Sequence, residues 1–380
     1  MHALHIYAGP AARQHIARHG LAPADVAVVP AAAGGPKGLI LGPLDRFVFG
    51  HWLTQSRQPV DLVGASIGAW RMAAACLPAP VAAFEALEHG YIHEEMKPAP
   101  GRRLPAPEQV SAAFAANLRR MFAGQEAALL GHPRYRLHVM TTRGRHVLAR
   151  EGRLRTPAGY LGAALTNLGS RRAMGAWVER VVFSATGPTG QPWPLPFATH
   201  DYRTRQVALT PANFHAAMQA SGSIPFVLRA VHDIEGAPRG AYWDGGITDY
   251  HLHLDYFATE KGAVLAVASS PEGTKGAPSG GGLVLYPHFQ RAVVPGWLDK
   301  ALKWRHRATP FLDRMVLLAP NPDWVRTLPG AKLPDRQDLT RLAAPERVQA
   351  WSAAVQAARQ LADEFNHWLA RPDPARVQPL

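Results

Sequence analysis

Short uninterrupted apolar runs alternate along the chain with segments whose apolar positions return every three or four residues. The run Val26-Ala27-Val28-Val29 follows Asp25 and has no polar break, which predicts a buried strand over 25–30. Val60-Asp61-Leu62-Val63 predicts a second strand. Helices are predicted over 11–20 (ending at Gly20), 39–50 and 69–77, the last rich in alanine and stopped by Pro78. Residues 31–38 are a loop of small side chains. The opening therefore reads β-loop-α-β-turn-α, and that alternation predicts an α/β fold with a central, mostly parallel sheet.

The same reading places helices around 79–95 and 107–130, and strands over 138–142, 180–184, 263–267 and 315–318. Proline and glycine crowd 185–200, which predicts an irregular loop, and 271–282 reads as a mobile surface loop. A helix over 212–220 leads into Ser221-Gly222-Ser223-Ile224-Pro225, and Ala241-Tyr242-Trp243 leads into Asp244-Gly245-Gly246. The strongest helical pattern covers 345–369. Val348, Trp351, Val355, Ala358, Ala362, Phe365 and Leu369 share one face there, suited either to a partner helix or to capping the sheet of the same chain. No internal repeat and no linker divides the 380 residues, so a single domain over 1–380 is expected.

Composition narrows the class. Lysine and arginine (41) exceed aspartate and glutamate (28), a formal charge of +13 that favours acidic partners such as nucleic acid or anionic lipid. Arginine-rich compositions from GC-rich genomes give the same excess, and no nucleic-acid-binding module is recognisable, so no nucleic-acid partner is expected. The 34 glycines and 34 prolines have no period, which excludes a collagen-like chain, and a single cysteine, Cys76, excludes an intrachain disulfide framework. With no run of 18 apolar residues and no basic-then-apolar leader, the expected location is cytoplasmic or peripheral to a membrane.

Three glycine-containing segments carry the candidate chemistry. Gly64-Ala65-Ser66-Ile67-Gly68 lies between a predicted strand and a predicted helix, where a tight turn pushes a serine outward and flanking glycines let neighbouring backbone approach. The following helix would direct its positive end at that serine. Ala33-Gly34-Gly35-Pro36-Lys37-Gly38 also joins strand to helix. It fails the phosphate-loop and dinucleotide spacings, but glycine amides beside a serine turn suit an oxyanion hole. Pro36 cannot donate, which leaves Gly34 and Gly35, with Lys37 and Gly38 as further candidates. The third segment, Asp244-Gly245-Gly246, puts a carboxylate in a narrow turn.

In that chain order the three segments resemble the patatin-like phospholipase family, and the loop Ala220-Ser221-Gly222-Ser223-Ile224-Pro225 is similar as well. The resemblance covers 26–257, a patatin-like catalytic region. It implies a three-layer sandwich, Ser66 as nucleophile, Asp244 as base, and Gly34, Gly35, Lys37 and Gly38 as the oxyanion loop. Ala33 departs from the family, which usually has a third glycine there. Residues 258–380 match nothing and are expected to be a C-terminal extension packing on the core. The resemblance implies hydrolysis of fatty-acyl esters of phospholipids, lysophospholipids or related lipids. For a serine–aspartate pair to work, the aspartate needs desolvation to raise its basicity, so the site should be buried and apolar.

Two other readings stand beside this one. An α/β-hydrolase-type esterase with a Ser–His–Asp triad would need His251 or His253 as base; both read instead as surface or helix-start histidines, and Asp249 and Asp255 as solvated. A non-catalytic patatin-like protein that binds acyl chains or a partner would keep the scaffold without turnover. No metal-ligand set and no cofactor are expected. Within 297–307, Trp297, Ala301 and Trp304 would share a helical face with Lys300, Lys303 and Arg307 beside it, a composition suited to an anionic membrane or to packing on the sheet.

Overall fold

The computed structural model describes residues 1–94, 105–257 and 282–380. The strand expected over 263–267 and all but the last residue of the loop expected over 271–282 lie outside them. The described strands are β1 (Leu4–Ala8), β2 (Val26–Ala31), β3 (Val60–Ala65), β4 (Tyr135–Gly144), β5 (Val178–Ala185), β6 (Thr204–Leu209), β7 (Val231–His232), β8 (Ala241–Asp244), β9 (Leu283–Pro287), β10 (Met315–Pro320) and β11 (Val377–Pro379). They form one sheet in the order β11-β1-β10-β9-β2-β3-β4-β5-β6, with β8 paired to β4 and β7 to β8.

The centre of that sheet, β10-β9-β2-β3-β4, is entirely parallel. Antiparallel pairs occur outside it, at β1 with β10, β4 with β5, and β8 with β4 and β7. The apolar runs become central strands because both faces of the sheet are covered by helices, so these strands have no polar face to show. The architecture is α/β with a large, mostly parallel sheet, as the alternation of elements predicts.

The C-terminal part is not laid against this sheet as an extension. β9 and β10 stand inside it, between β1 and β2, and β11 closes the edge beside β1. Strands β1, β6, β9 and β11 escape a reading of periodicity because they are short or carry polar side chains, and the helix Arg155–Gly169 because Pro157, Gly159 and Gly162 break its pattern.

Some predicted helices are divided: 107–130 is two, Pro107–Phe122 and Glu126–Leu130. The segment 39–50 is a 3-10 turn (Gly35–Leu41), a short α-helix (Gly42–Phe47) and a π-turn (Val48–Trp52). The C-terminal pattern is two helices, Ala344–Ala357 and Arg359–Ala370, which part at Ala358. The two halves face different neighbours. Trp351 lies beside Tyr91, with tilted rings whose centroids are 6.3 Å apart, while Phe365 meets Phe47 and Trp52 at 6.0 and 5.6 Å. Both halves pack on their own chain, the first against helix Pro80–His93 and the second against helix Gly42–Phe47 and β1.

Segment 297–307 is not an amphipathic helix. It forms two 3-10 turns, Trp297–Asp299 and Lys303–His306. Buried Asp299 pins it by accepting from Asn167 (2.8 Å) and Arg305 (2.8 Å). No helix of the described residues is long and apolar enough to cross a membrane.

Candidate active site

Ser66 and Asp244 meet because two strands run head-on along one edge of β4. β3 pairs with the first half of β4 and ends with Ala65 opposite Met140. β8 runs the other way beside the second half of β4 and ends with Asp244 opposite Thr141. The two strand ends therefore lie one register position apart, although 178 residues separate Ser66 from Asp244. Ser66 Oγ donates to Asp244 Oδ2 at 2.7 Å. Asp244 Oδ1 accepts from the Gly246 amide at 2.7 Å, which fixes the carboxylate plane.

The gap between the strand ends leaves β4 backbone to be satisfied, and Ser221 does this. Its hydroxyl donates to Met140 O at 2.7 Å and accepts from the Ser66 amide at 2.9 Å. The Asp244 amide donates to Ser223 O at 2.9 Å. One loop thus stitches nucleophile and base to the same strand. Sequence reading marked this loop by its likeness to a family, but not Ser221 as the bridge.

Ser66 has φ 57° and ψ −127°, a left-handed conformation that costs a serine about 1–3 kcal/mol. Helix Ile67–Ala75 begins immediately after it. The flanking glycines are there for room. A Cβ on Gly64 would lie 2.4 Å from Ala69 Cα, and one on Gly68 would lie 1.9 Å from Ala31 O. The helix is locked from its far side by Arg71, whose guanidinium grips Asp45 bidentately at 2.6 and 2.7 Å in a buried pair. Neither partner stood out in the sequence, because one charge on an apolar helix has no local pattern.

The glycine loop lies against the start of this helix. Gly35 has φ 57°, and a Cβ on Gly34 would strike the Phe289 ring at 2.6 Å. Lys37 and Gly38 lie inside the 3-10 turn, where amides bond three residues back, so they are spoken for. The Ala33 amide donates to Tyr250 O. Gly34 and Gly35 therefore offer the free amides of the loop, and Gly34 faces the same cavity as Asp244. Ala33, where the resembled family has glycine, packs over Gly246, which has no side chain to obstruct it; a Cβ there would lie 2.7 Å from that of Ala33.

The cavity has a volume of about 300 Å³, with Asp244 and Gly246 in its floor and Ile224, Pro225, Tyr250 and Trp297 among its walls. Ser66 keeps 5% of its surface open and Asp244 6%. Burial raises the Asp244 pKa above its ordinary value; the Ser66 hydroxyl, Arg336, the Gly246 amide and Lys300 act against that rise. The site is buried as expected, but it is not apolar: Lys37, Lys300 and Arg336 also line it.

The histidines stand apart. His251 is fully buried, with Nδ1 against Ala292 O and the Val294 amide. His253 is buried between Val293 O and Thr309 Oγ1. Both are interior rather than surface groups, and burial lowers the pKa of each, that of His253 to about 4. Among the described residues no histidine bonds to Ser66 or Asp244. Asp249 is also buried rather than solvated, in a two-pronged ion pair with Arg180 at 2.6 and 2.7 Å that anchors the turn after Asp244. Asp255 is half-buried.

No protein-family model matches the chain, and no curated protein or solved structure matches it either.

Proposed function

We propose that the protein is a serine acyl-ester hydrolase working through a Ser66–Asp244 dyad. The observation that carries this reading is the direct 2.7 Å hydrogen bond from a serine on a strained strand-to-helix turn to a buried carboxylate, with no imidazole between them. It is the pairing that the resemblance to patatin-like phospholipases implies. In the proposed reaction Ser66 Oγ attacks the ester carbonyl carbon as its proton passes to Asp244 Oδ2. The oxyanion is met by the Gly34 and Gly35 amides. Asp244 then gives the proton to the departing alkoxide, leaving an acyl-enzyme. Water attacks that ester with Asp244 again accepting a proton, which returns to Ser66 as the acid leaves. Burial of Asp244 supports its role, since a carboxylate of ordinary pKa is a weak base near neutrality.

Fatty-acyl lipid esters are the proposed substrates. Support comes from apolar side chains exposed beside the cavity. Phe226 and Val227 follow the wall residues Ile224 and Pro225 and lie open to solvent. Tyr160 contacts Phe226 from helix Arg155–Gly169, whose Leu161, Leu165 and Leu168 are exposed along one face, and Arg305 joins exposed Trp304 to that helix through Leu168 O. A fluorophosphonate probe should label the wild type and not Ser66→Ala. A folded wild type that takes no label would instead favour a scaffold that binds acyl chains or a partner without turnover.

A further inference from the structure

The cavity holds a cation for which the dyad alone has no use. Arg336 lies just before helix Asp338–Arg341, in the part of the chain that the resemblance to a known family does not reach. The segment around it is fixed. Buried Asp338 accepts from the indole of buried Trp351 at 2.9 Å, from Lys332 Nζ at 2.6 Å and from the Asp335 amide at 3.0 Å. The Leu339 amide donates to Arg336 O at 3.2 Å. From this anchored backbone the arginine side chain lines the cavity together with Gly34 and Asp244.

Its guanidinium rests on the glycine loop. A Cβ on Gly35 would lie 3.1 Å from Arg336 Nε and 3.4 Å from Nη2, with Tyr91 Oη 3.5 Å away. The other two cations of the cavity are placed differently. The ammonium of Lys300 lies 3.9 Å from the Tyr250 ring centroid, and that of Lys37 lies 5.5 Å from the Phe289 ring centroid. The neighbouring Asp335 carboxylate is committed to Lys332 at 2.8 Å, and among the described residues no hydrogen bond or ion pair engages the Arg336 side chain. Its charge is nevertheless felt across the cavity. Burial raises the pKa of Asp244, and those of Tyr91 and Tyr250 to about 12, and the Arg336 charge is among the influences that oppose the rise in all three.

We infer that Arg336 is a further catalytic residue, its guanidinium completing the oxyanion hole over Gly35 and meeting the negative charge that forms on the carbonyl oxygen of the ester. This rests on the acyl-hydrolase reading and adds a residue to it. As Ser66 Oγ bonds to the carbonyl carbon, the π electron pair moves onto the oxygen and the serine proton moves to Asp244. The oxygen thus gains a full negative charge while Asp244 loses its own. Two glycine amides meet that oxygen with partial charges only. A guanidinium brings a whole charge on a planar set of donors, and its hydrogen bonds to an anion are about twice as strong as neutral ones. A cation already held over the loop before the ester arrives needs no reorganisation at the moment of reaction.

Arg336→Gln in the full chain tests this on a neutral chromogenic short-chain acyl ester, so that attraction of a charged substrate cannot imitate the effect. At the pH-independent plateau kcat should fall about 10- to 100-fold with little change in KM, and Arg336→Lys should recover part of the loss. Arg336 is exposed and its side chain makes no hydrogen bond, so both variants should melt with the wild type. The acid limb of the pH profile should also move to higher pH, because a charge that opposes the Asp244 rise is gone. An alkyl trifluoromethyl ketone gives the second readout. It forms a hemiketal with Ser66, has no leaving group to lose, and the ionisation of its oxygen is followed by fluorine NMR. Loss of Arg336 should raise the pKa of that oxygen by about one to two, the same 10- to 100-fold effect read as an equilibrium. An acid limb that moves while the plateau and the hemiketal ionisation stay in place would mean that Arg336 acts only on Asp244, which overturns the inference and leaves the dyad standing. A raised KM with kcat unchanged overturns it too, making Arg336 a substrate-binding group. A wild type that neither hydrolyses the ester nor forms the hemiketal at Ser66 removes the dyad and this role of Arg336 together.

Discussion

Replacing Asp244 by asparagine separates proton transfer from packing, because the surrounding hydrogen bonds decide how the new amide must sit. In the wild type one carboxylate oxygen accepts from the Gly246 amide and the other from Ser66 Oγ, each at 2.7 Å. An asparagine has one acceptor. Gly246 N–H can only donate, so the amide oxygen must face it, and the amide nitrogen then faces Ser66. The flipped rotamer would set two donors against each other in a buried site, at a cost of about 1–3 kcal/mol, so it is populated at most about one time in five.

The serine oxygen would thus accept a hydrogen bond from the variant where it now donates one, and its proton would have no base. Loss of a positioned general base costs about 10²–10⁴ in rate, or roughly 3–5 kcal/mol of barrier. Folding should move the other way. Burial penalises the ionised Asp244, so its folded pKa lies above its ordinary value of 3.8. Relative to a neutral asparagine the wild type loses stability as pH rises from that ordinary value through the raised one, with no further change above it. The assay is hydrolysis of a chromogenic short-chain acyl ester, run alongside thermal melts between pH 4 and 8. The expected result is a collapse of kcat, loss of the acid limb of the pH profile, and a melting temperature equal to or above that of the wild type near neutrality. Retention of wild-type kcat, or an acid limb that survives the substitution, would refute the dyad.

Other substitutions probe the supports. Arg71→Met strands the Asp45 carboxylate in the interior and should cost about 3–5 kcal/mol of stability, measured by urea denaturation; adding Asp45→Asn should recover part of it. Gly68→Ala drives a Cβ to 1.9 Å from Ala31 O and should destabilise the fold by at least about 1–3 kcal/mol, whereas Gly38→Ala meets Ile67 at an ordinary 3.5 Å and should melt like the wild type. His253→Gln should leave fluorophosphonate labelling intact, since its ring bonds only Val293 O and Thr309; loss of labelling in a folded variant would revive a triad. Sedimentation with anionic vesicles should weaken in Trp304→Ala and in the double variant Lys303→Gln/Arg307→Gln, and unchanged binding in both would exclude this rim as a membrane contact.

What the chain announces locally is the set of short-range constraints. Strands β2 and β3 are buried almost throughout, and a short run that is apolar, with Asp61 the one charged side chain, is all that requires, so both stand in the sequence. Gly64 and Gly68 are visible too, because a tight turn before a helix admits no side chain there. The kinked C-terminal pair, by contrast, keeps one periodic face on paper, and only its two different partners reveal the break at Ala358. Sheet order was equally hidden: nothing in residues 283–287 or 315–320 says that they slot between β1 and β2, since a parallel strand reads alike at any interior position. The acid–base pair divides the same way. Ser66 and Asp244 each sit at a legible turn, yet their contact depends on β4 being long enough to hold two opposed strands end to end along one edge. The cations of the cavity come from three distant segments, and charge has no period to betray it. Local sterics and burial are written residue by residue, whereas a meeting of side chains remote in the chain exists only once the sheet has closed around it.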